Sequence, residues 1–232
     1  MEYFGAYRFL FESPKWATLL LIGVVCQFVP IVGQFVLMGY LYWVIEAKLR
    51  HGPDQFPEFD FNQLGVYLVR GVWPFLVSLV AAIPLFVLMI PAFVVFVLSG
   101  AAIDQRGGGP PWFFIGLIFT GILVFILLSL ALHILALPMI LRAGLSQDFG
   151  SAFSMEFVRD FLGRVWKELL LAMLFLIVSA PFLMLGGFIL LFVGIYPAAV
   201  LLVFTQQHFQ YQLYQLYLKR GGTPIPLKEI PS

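Results

Sequence analysis

The stretch Phe28–Gly52, FVPIVGQFVLMGYLYWVIEAKLRHG, sets Pro30, Gly33 and Gly39 inside a run otherwise apolar enough to cross a bilayer. Charge returns only at Glu46, and free of charge the run reaches back to Trp16. It is therefore long for one crossing and short for two. Pro30 divides it into Trp16–Val29 and Ile31–Ile45, arms of about 21–23 Å as α-helix against about 30 Å of hydrocarbon. Proline also lacks a donor and frees the Cys26 carbonyl four residues back, and an unpaired backbone group is costly in lipid. Two readings compete. One is a re-entrant hairpin turning at Pro30 and Gly33, with Gln27 and Gln34 supplying amide partners; the other is a single kinked, tilted helix.

Composition sets the surroundings. Hydrophobic residues make up 62% and charged residues 11% of the chain, against about 45–50% and about 25% in soluble domains, so lipid is the solvent for most of it. A formal net charge of +1 without a basic block offers no footprint for nucleic acid. Membrane lipids are the expected partners. Cys26 is the single cysteine, which excludes an intramolecular disulfide and a thiolate metal cluster.

Three further charge-free runs follow: Gly71–Ile103, Gly107–Leu141 and Leu169–Leu218. The first two predict one crossing each, joined by the turn DQRGGGPP at Asp104–Pro111; the third predicts two, turning near Gly186-Gly187 after Pro181. Two such hairpins put every Lys and Arg beyond residue 46 on one side, save Arg106. By the positive-inside rule that side is cytoplasmic. A hairpin at Pro30 adds Arg8 and Lys15 to it, which favours the hairpin over the single helix. The mixed charges of Glu2, Arg8, Glu12 and Lys15, with no cleavage site after them, predict a retained N-terminus. Both termini are then cytoplasmic, and the location is the cell membrane.

The fold class expected is an all-α, multi-pass membrane protein, a polytopic helical bundle in a single domain over residues 1–232. Its parts are an interfacial helix at 1–12, the broken helix or re-entrant hairpin at 14–51, a surface helix and span at 60–103, and a span at 111–141. A surface helix at 151–168, two spans at 169–220 and a tail at 221–232 complete it. Tyr3, Phe4, Tyr7, Leu10 and Phe11 follow helical spacing, and so do Phe153, Phe157, Phe161, Val165 and Leu169; both stripes predict amphipathic helices with their aromatics toward lipid.

The chemistry is sparse. His51, His133 and His208 lack ligand spacing, and no zinc-protease, nucleophile-elbow or phosphate-loop pattern occurs, so the reading is non-enzymatic, with no metal and no cofactor. Ionisable groups within membrane runs mark ion and proton paths, which makes His133 a weak binding candidate beside Gln27 and Gln34. In FPEFDF, Asp60 reads as a helix cap with Gln63 completing a capping box, and Phe59 and Phe61 as interfacial anchors.

Pro14-Lys15-Trp16, Pro30-Ile31-Val32-Gly33, Gly39-Tyr40, Gly52 and Pro57-Glu58-Phe59-Asp60 before Gly71 are in the order and spacing of a known pattern. Over roughly residues 10 to 85 the sequence resembles a prokaryotic integral membrane family catalogued as domain of unknown function 4013. LALPMILRAG through VWKELLLAML is similar to it more loosely, and Phe59 stands where the pattern has tryptophan. The resemblance implies a multi-helix fold in the cell membrane and carries no activity. The function expected is a membrane scaffold or lipid-interacting protein. The rival is a transporter or channel for a small or lipidic substrate, motivated by helix breaks at Pro30, Pro84, Pro91, Pro181 and Pro197; an enzyme acting on lipid comes third.

Overall fold

A computed structural model describes residues 1–104, 111–190 and 193–228. Among these, all regular structure is helical: α1 (Trp16–Phe28), α2 (Val32–His51), α3 (Leu64–Asp104), α4 (Pro111–Ser146), α5 (Phe149–Ala152), α6 (Met155–Ile189) and α7 (Ile195–Lys219), with 3-10 segments at Gly5–Glu12 and Phe61–Gln63. Phe61–Ile90, Ile118–Ser146 and Met155–Ile189 are long and apolar enough to cross a membrane. The protein is an all-α helical membrane protein. The chain forms two compact units, Met1–Val77 with the described residues from Leu137 on, and Ser78–Ala136. Apart from Asp104 and Pro111, the turn expected at Asp104–Pro111, with Arg106 in it, lies outside the described residues.

The charge-free run Trp16–Ile45 reverses direction at its middle. Val29 is extended, Ile31 has φ +66° and ψ −63°, and the Val32 N–H donates to the Pro30 carbonyl at 2.7 Å. That is a γ-turn of the strained hand, in a conformation a β-branched residue rarely adopts. The carbonyl that proline leaves without its helical partner is not wasted: Cys26 O accepts the Val29 N–H at 3.3 Å, and Val29 O accepts Gly33 N–H at 2.9 Å. Gly33 contributes something other than the turn. A Cβ there would stand 1.9 Å from the Cys26 carbonyl oxygen, so only glycine lets the two arms leave the turn side by side.

Once reversed, α1 and α2 share a core with the N-terminal segment and α7: Phe9, Leu19, Val36, Leu37, Tyr40, Leu41, Val200 and Phe204 are buried together. The partner of α2 on its other side is α3. The two helices cross where Gly39 faces the Tyr67 carbonyl and Gly71 faces the Phe35 carbonyl, at 1.8 Å and 1.9 Å from where each Cβ would lie. Small residues on both helices bring backbones into contact, the usual way membrane helices gain packing without a hydrophobic driving force.

Several sequence expectations change here. α3 passes through Pro84 and Pro91 unbroken, α6 passes through Pro181, and Pro197 lies in the first turn of α7. Of the prolines taken to break helices, Pro30 alone does so. Proline inside a membrane helix costs one hydrogen bond, which neighbouring groups can offset, and in the first turn it costs none. The turn expected near Gly186-Gly187 lies after Ile189, because both glycines stay helical. α7, expected as a crossing, is not among the three candidates: after Phe204 it continues as TQQHFQYQLYQLYLK, free of charge until its end but rich in glutamine.

The surface helix expected at 151–168, leading into the next span, does run on into it. It splits into α5 and the beginning of α6. Its aromatic stripe does not face lipid. Phe157 and Phe161 are buried in the protein, with ring centroids 5.6 and 5.1 Å from that of Tyr217. In the N-terminal segment Ala6, Phe9 and Leu10 are buried, while Phe4 and Phe11 are exposed.

The glycine crossing yields a direct check. Gly39→Ala should lower the thermal midpoint of the detergent-solubilised protein strongly, by the equivalent of about 1–3 kcal/mol for overpacking, because a backbone carbonyl cannot step aside. Gly65→Ala, where a Cβ meets nothing within 4 Å, should leave the midpoint unchanged or slightly higher.

Candidate functional site

The ion pairs of the larger unit gather at one end, where α1 begins and α2 finishes. The base of the hairpin is closed twice. Lys48 Nζ donates to Glu12 Oε2 at 2.7 Å and also to the Pro53 carbonyl, while Lys15 Nζ donates to Glu58 Oε2 at 2.6 Å. Residues at the two far ends of the broken run are thus in contact, which a single straight helix forbids.

Pro57-Glu58-Phe59-Asp60 acts as a clasp over that base. The Pro57 carbonyl accepts the Tyr40 hydroxyl at 2.8 Å, Glu58 holds Lys15, and Phe59 lies between Tyr40 and Tyr67, with centroids 5.1 and 5.0 Å away. Asp60 does cap, but differently from the expectation. Its Oδ1 accepts the Asn62 N–H at 2.9 Å, and its own N–H donates to the Tyr67 hydroxyl at 3.2 Å. Tyr67 thereby takes the role expected of Gln63, whose buried Oε1 has no partner.

Beneath the clasp lies a buried carboxylate. Glu46 has no solvent exposure; one oxygen accepts Arg50 Nε at 2.8 Å and the other pairs with Arg70 of α3, itself almost fully buried. The Arg70 guanidinium lies over Trp43 at 5.5 Å, and its main-chain carbonyl accepts Gln147 Nε2 at 3.2 Å, joining the end of α4 to the pair. On the other side, Tyr42 donates to Gln210 Oε1 of α7 at 2.8 Å. At the same end Glu168 holds Arg220, and Asp160 accepts both Arg164 Nε and the Tyr217 hydroxyl. The buried Glu46, Lys48 and Arg70 each have an opposite charge within hydrogen-bond reach.

The weak candidates do not converge. Gln27 Nε2 donates to the Tyr196 carbonyl at 3.3 Å, tying the tip of α1 to the start of α7; Gln34 is exposed on α2, and His133 is exposed on α4 in the smaller unit. Glu46 and Arg70, the centre of the layer, were not among the sequence candidates. The four-residue spacing of Glu46 and Arg50, just past an apolar run, was the signal available, since such spacing places both on one helix face. Among the described residues no three His, Cys, Asp or Glu side chains are grouped to hold a metal.

The pattern of a family described as "Protein of unknown function (DUF4013)" matches residues 22–195, most of the chain. The chain belongs to that family. No curated protein and no solved structure matches it. The matched range of this DUF4013 protein begins after Pro14-Lys15-Trp16 and contains the Pro30–Gly33 turn, Gly39-Tyr40, Gly52, the clasp and Gly71. The turn, Gly39-Tyr40, the clasp and Gly71 each have a structural partner described above, and Gly52 ends α2 at φ +109°, a conformation that favours glycine.

The two kinds of ion pair should respond differently to loss of one member. Glu46→Gln leaves Arg70 buried without an anion, at a cost of about 3–5 kcal/mol, so the thermal midpoint should fall steeply. Glu58→Gln breaks a pair whose side chains are both more than half exposed, and the midpoint should move little. Parallel melting curves of the two variants check this.

Proposed function

We propose that this DUF4013 protein is a multi-pass scaffold of the cell membrane that presents its basic end to the cytoplasm and interacts with lipid, with both termini on the cytoplasmic side. The observation that carries the reading is the closure of the buried charge. Glu46 is spent on Arg50 and Arg70, and Lys48 on Glu12 and Pro53. A substrate or ion path needs polar groups that a passing solute can engage, and the buried Glu46 and Arg70 are committed to holding α2 against α3.

In this reading the α1–α2 hairpin is re-entrant, since the charge-free part of neither arm, Trp16–Val29 or Ile31–Ile45, is long enough to span the core alone. Its base sits at head-group depth. Exposed aromatics there stand beside cations: Phe11 is against Trp16 next to Lys15, and Lys167 Nζ lies 5.8 Å from the Trp166 ring. Aromatic rings with flanking lysines are the ordinary anchors of that layer.

A transporter for a small or lipidic substrate remains the rival, resting on the broken helix at Pro30 with Gln27 and Gln34 nearby. The two separate in a flux assay. Protein reconstituted into liposomes should pass ions and small solutes no faster than empty liposomes do. Flux above that background, abolished by Gln34→Leu with assembly intact, would overturn the scaffold reading.

A further inference from the structure

The larger unit contains a cavity of about 670 Å³ between the start of the chain, the residues following α2 and the C-terminal half of α7. This is within the size range of small-ligand sites. Its polar groups are unusual in being only partly used. Lys48 lines it with a side chain 3% exposed. An ammonium carries three donors, and two of those on Lys48 go to Glu12 and Pro53. His208 lines it too, and its buried Nδ1 has no hydrogen-bond partner. Both groups rest on Phe9, the Lys48 Nζ 5.6 Å and the imidazole centroid 4.7 Å from the centre of that ring. Lys219 stands exposed on the rim.

Two acids are near these donors, Glu12 and Glu2, and Glu2 also lines the cavity. Glu12 is already paired with Lys48, and the Glu2 carboxylate is folded back over Gly5, its Oε2 2.7 Å from where a Cβ on that glycine would lie. Leu49 and Leu216 add apolar wall. The cavity therefore combines a cation, an unmatched imidazole nitrogen and a second cation at the mouth with an apolar side.

We propose that this cavity binds a phosphate group, whose oxygens take the third donor of Lys48, the Nδ1–H of His208 and, at the rim, Lys219. Phosphate suits the set because it offers several acceptor oxygens to donors arriving from different elements, and charge-assisted hydrogen bonds are the strong ones. A phospholipid head group and a soluble phosphate ester carry the same chemistry. The inference goes beyond the scaffold reading, and a liposome flux result does not bear on it.

The test uses the full chain in phosphatidylcholine nanodiscs with two arms. In one, inorganic phosphate is titrated and the histidine resonances are followed by NMR; in the other, a fraction of phosphatidylglycerol is added and retained lipid is counted by native mass spectrometry. Saturable binding of one phosphate group per chain is expected in at least one arm. Retention of phosphatidylglycerol without a response to free phosphate assigns a lipid head group, and a response to free phosphate assigns a soluble ligand. His208→Phe, which keeps a ring against Phe9, should weaken binding about tenfold or more, the usual effect of losing a hydrogen bond to a charged group. Lys219→Gln, on an exposed residue that leaves the fold alone, should weaken it severalfold and decides the matter if His208→Phe lowers the melting point. No saturable binding in either arm, or binding that the folded variants leave unchanged, overturns the proposal.

Discussion

A carboxylate with no contact with water is the constraint around which this protein is arranged. Isolated, it would cost several kcal/mol or take up a proton, and it is tolerable only with good partners. Glu46 meets that requirement with one arginine from its own helix and one from α3. The consequences spread from there. Arg70 is adjacent to Gly71, and Gly39 lies about two helical turns before Glu46. The ion pair and the glycine crossing therefore specify one and the same register of α2 against α3, the first by charge and the second by sterics. Neither is satisfied if the helices slip by a turn.

The second consequence concerns the Pro30 reversal. A γ-turn with Ile31 at positive φ is unfavourable by itself and persists only where the surroundings over-determine it. They do so from the opposite end of the arms, through Glu12 on Lys48, Glu58 on Lys15 and the Tyr40 hydroxyl on Pro57. Strain at the tip is thus held by closure at the base. The Pro57–Asp60 segment, which has no evident role as a string of letters, becomes intelligible as the piece of chain that performs the closure.

Much of this was legible in the residues, and what was not has physical causes. The charge-free runs mark the helices because charges are excluded from apolar surroundings, and short arms around a central proline mark the reversal. Pro84, Pro91 and Pro181 look the same on paper but do not break their helices. What distinguishes Pro30 is the pairing of charges beyond both of its arms, a contact between residues 12 and 48 that no local pattern displays. The Phe157 and Phe161 stripe shows which face of α6 is apolar; periodicity cannot say whether lipid or protein covers it, and Tyr217 does. α7 misled for a different reason. Absence of charge is a weaker criterion than hydropathy, and five glutamines after Phe204 make its second half a hydrogen-bonding surface facing Tyr42 and the N-terminal segment. The centre of the site escaped notice because Glu46 reads as the end of a membrane run, and only its partner on α3 reveals that it is buried.

The central claim is that the chain returns at Pro30, bringing the residues before α1 next to the end of α2. A distance measurement tests it without reference to any membrane side. Spin labels on Pro14→Cys and His51→Cys, in a Cys26→Ser background, are read by double electron–electron resonance in nanodiscs. A closed hairpin predicts a separation under about 25 Å, whereas a continuous helix from residue 14 to residue 51 would put them about 55 Å apart at 1.5 Å per residue. A narrow distribution at the short distance is the predicted result. A population near the long distance would contradict the account.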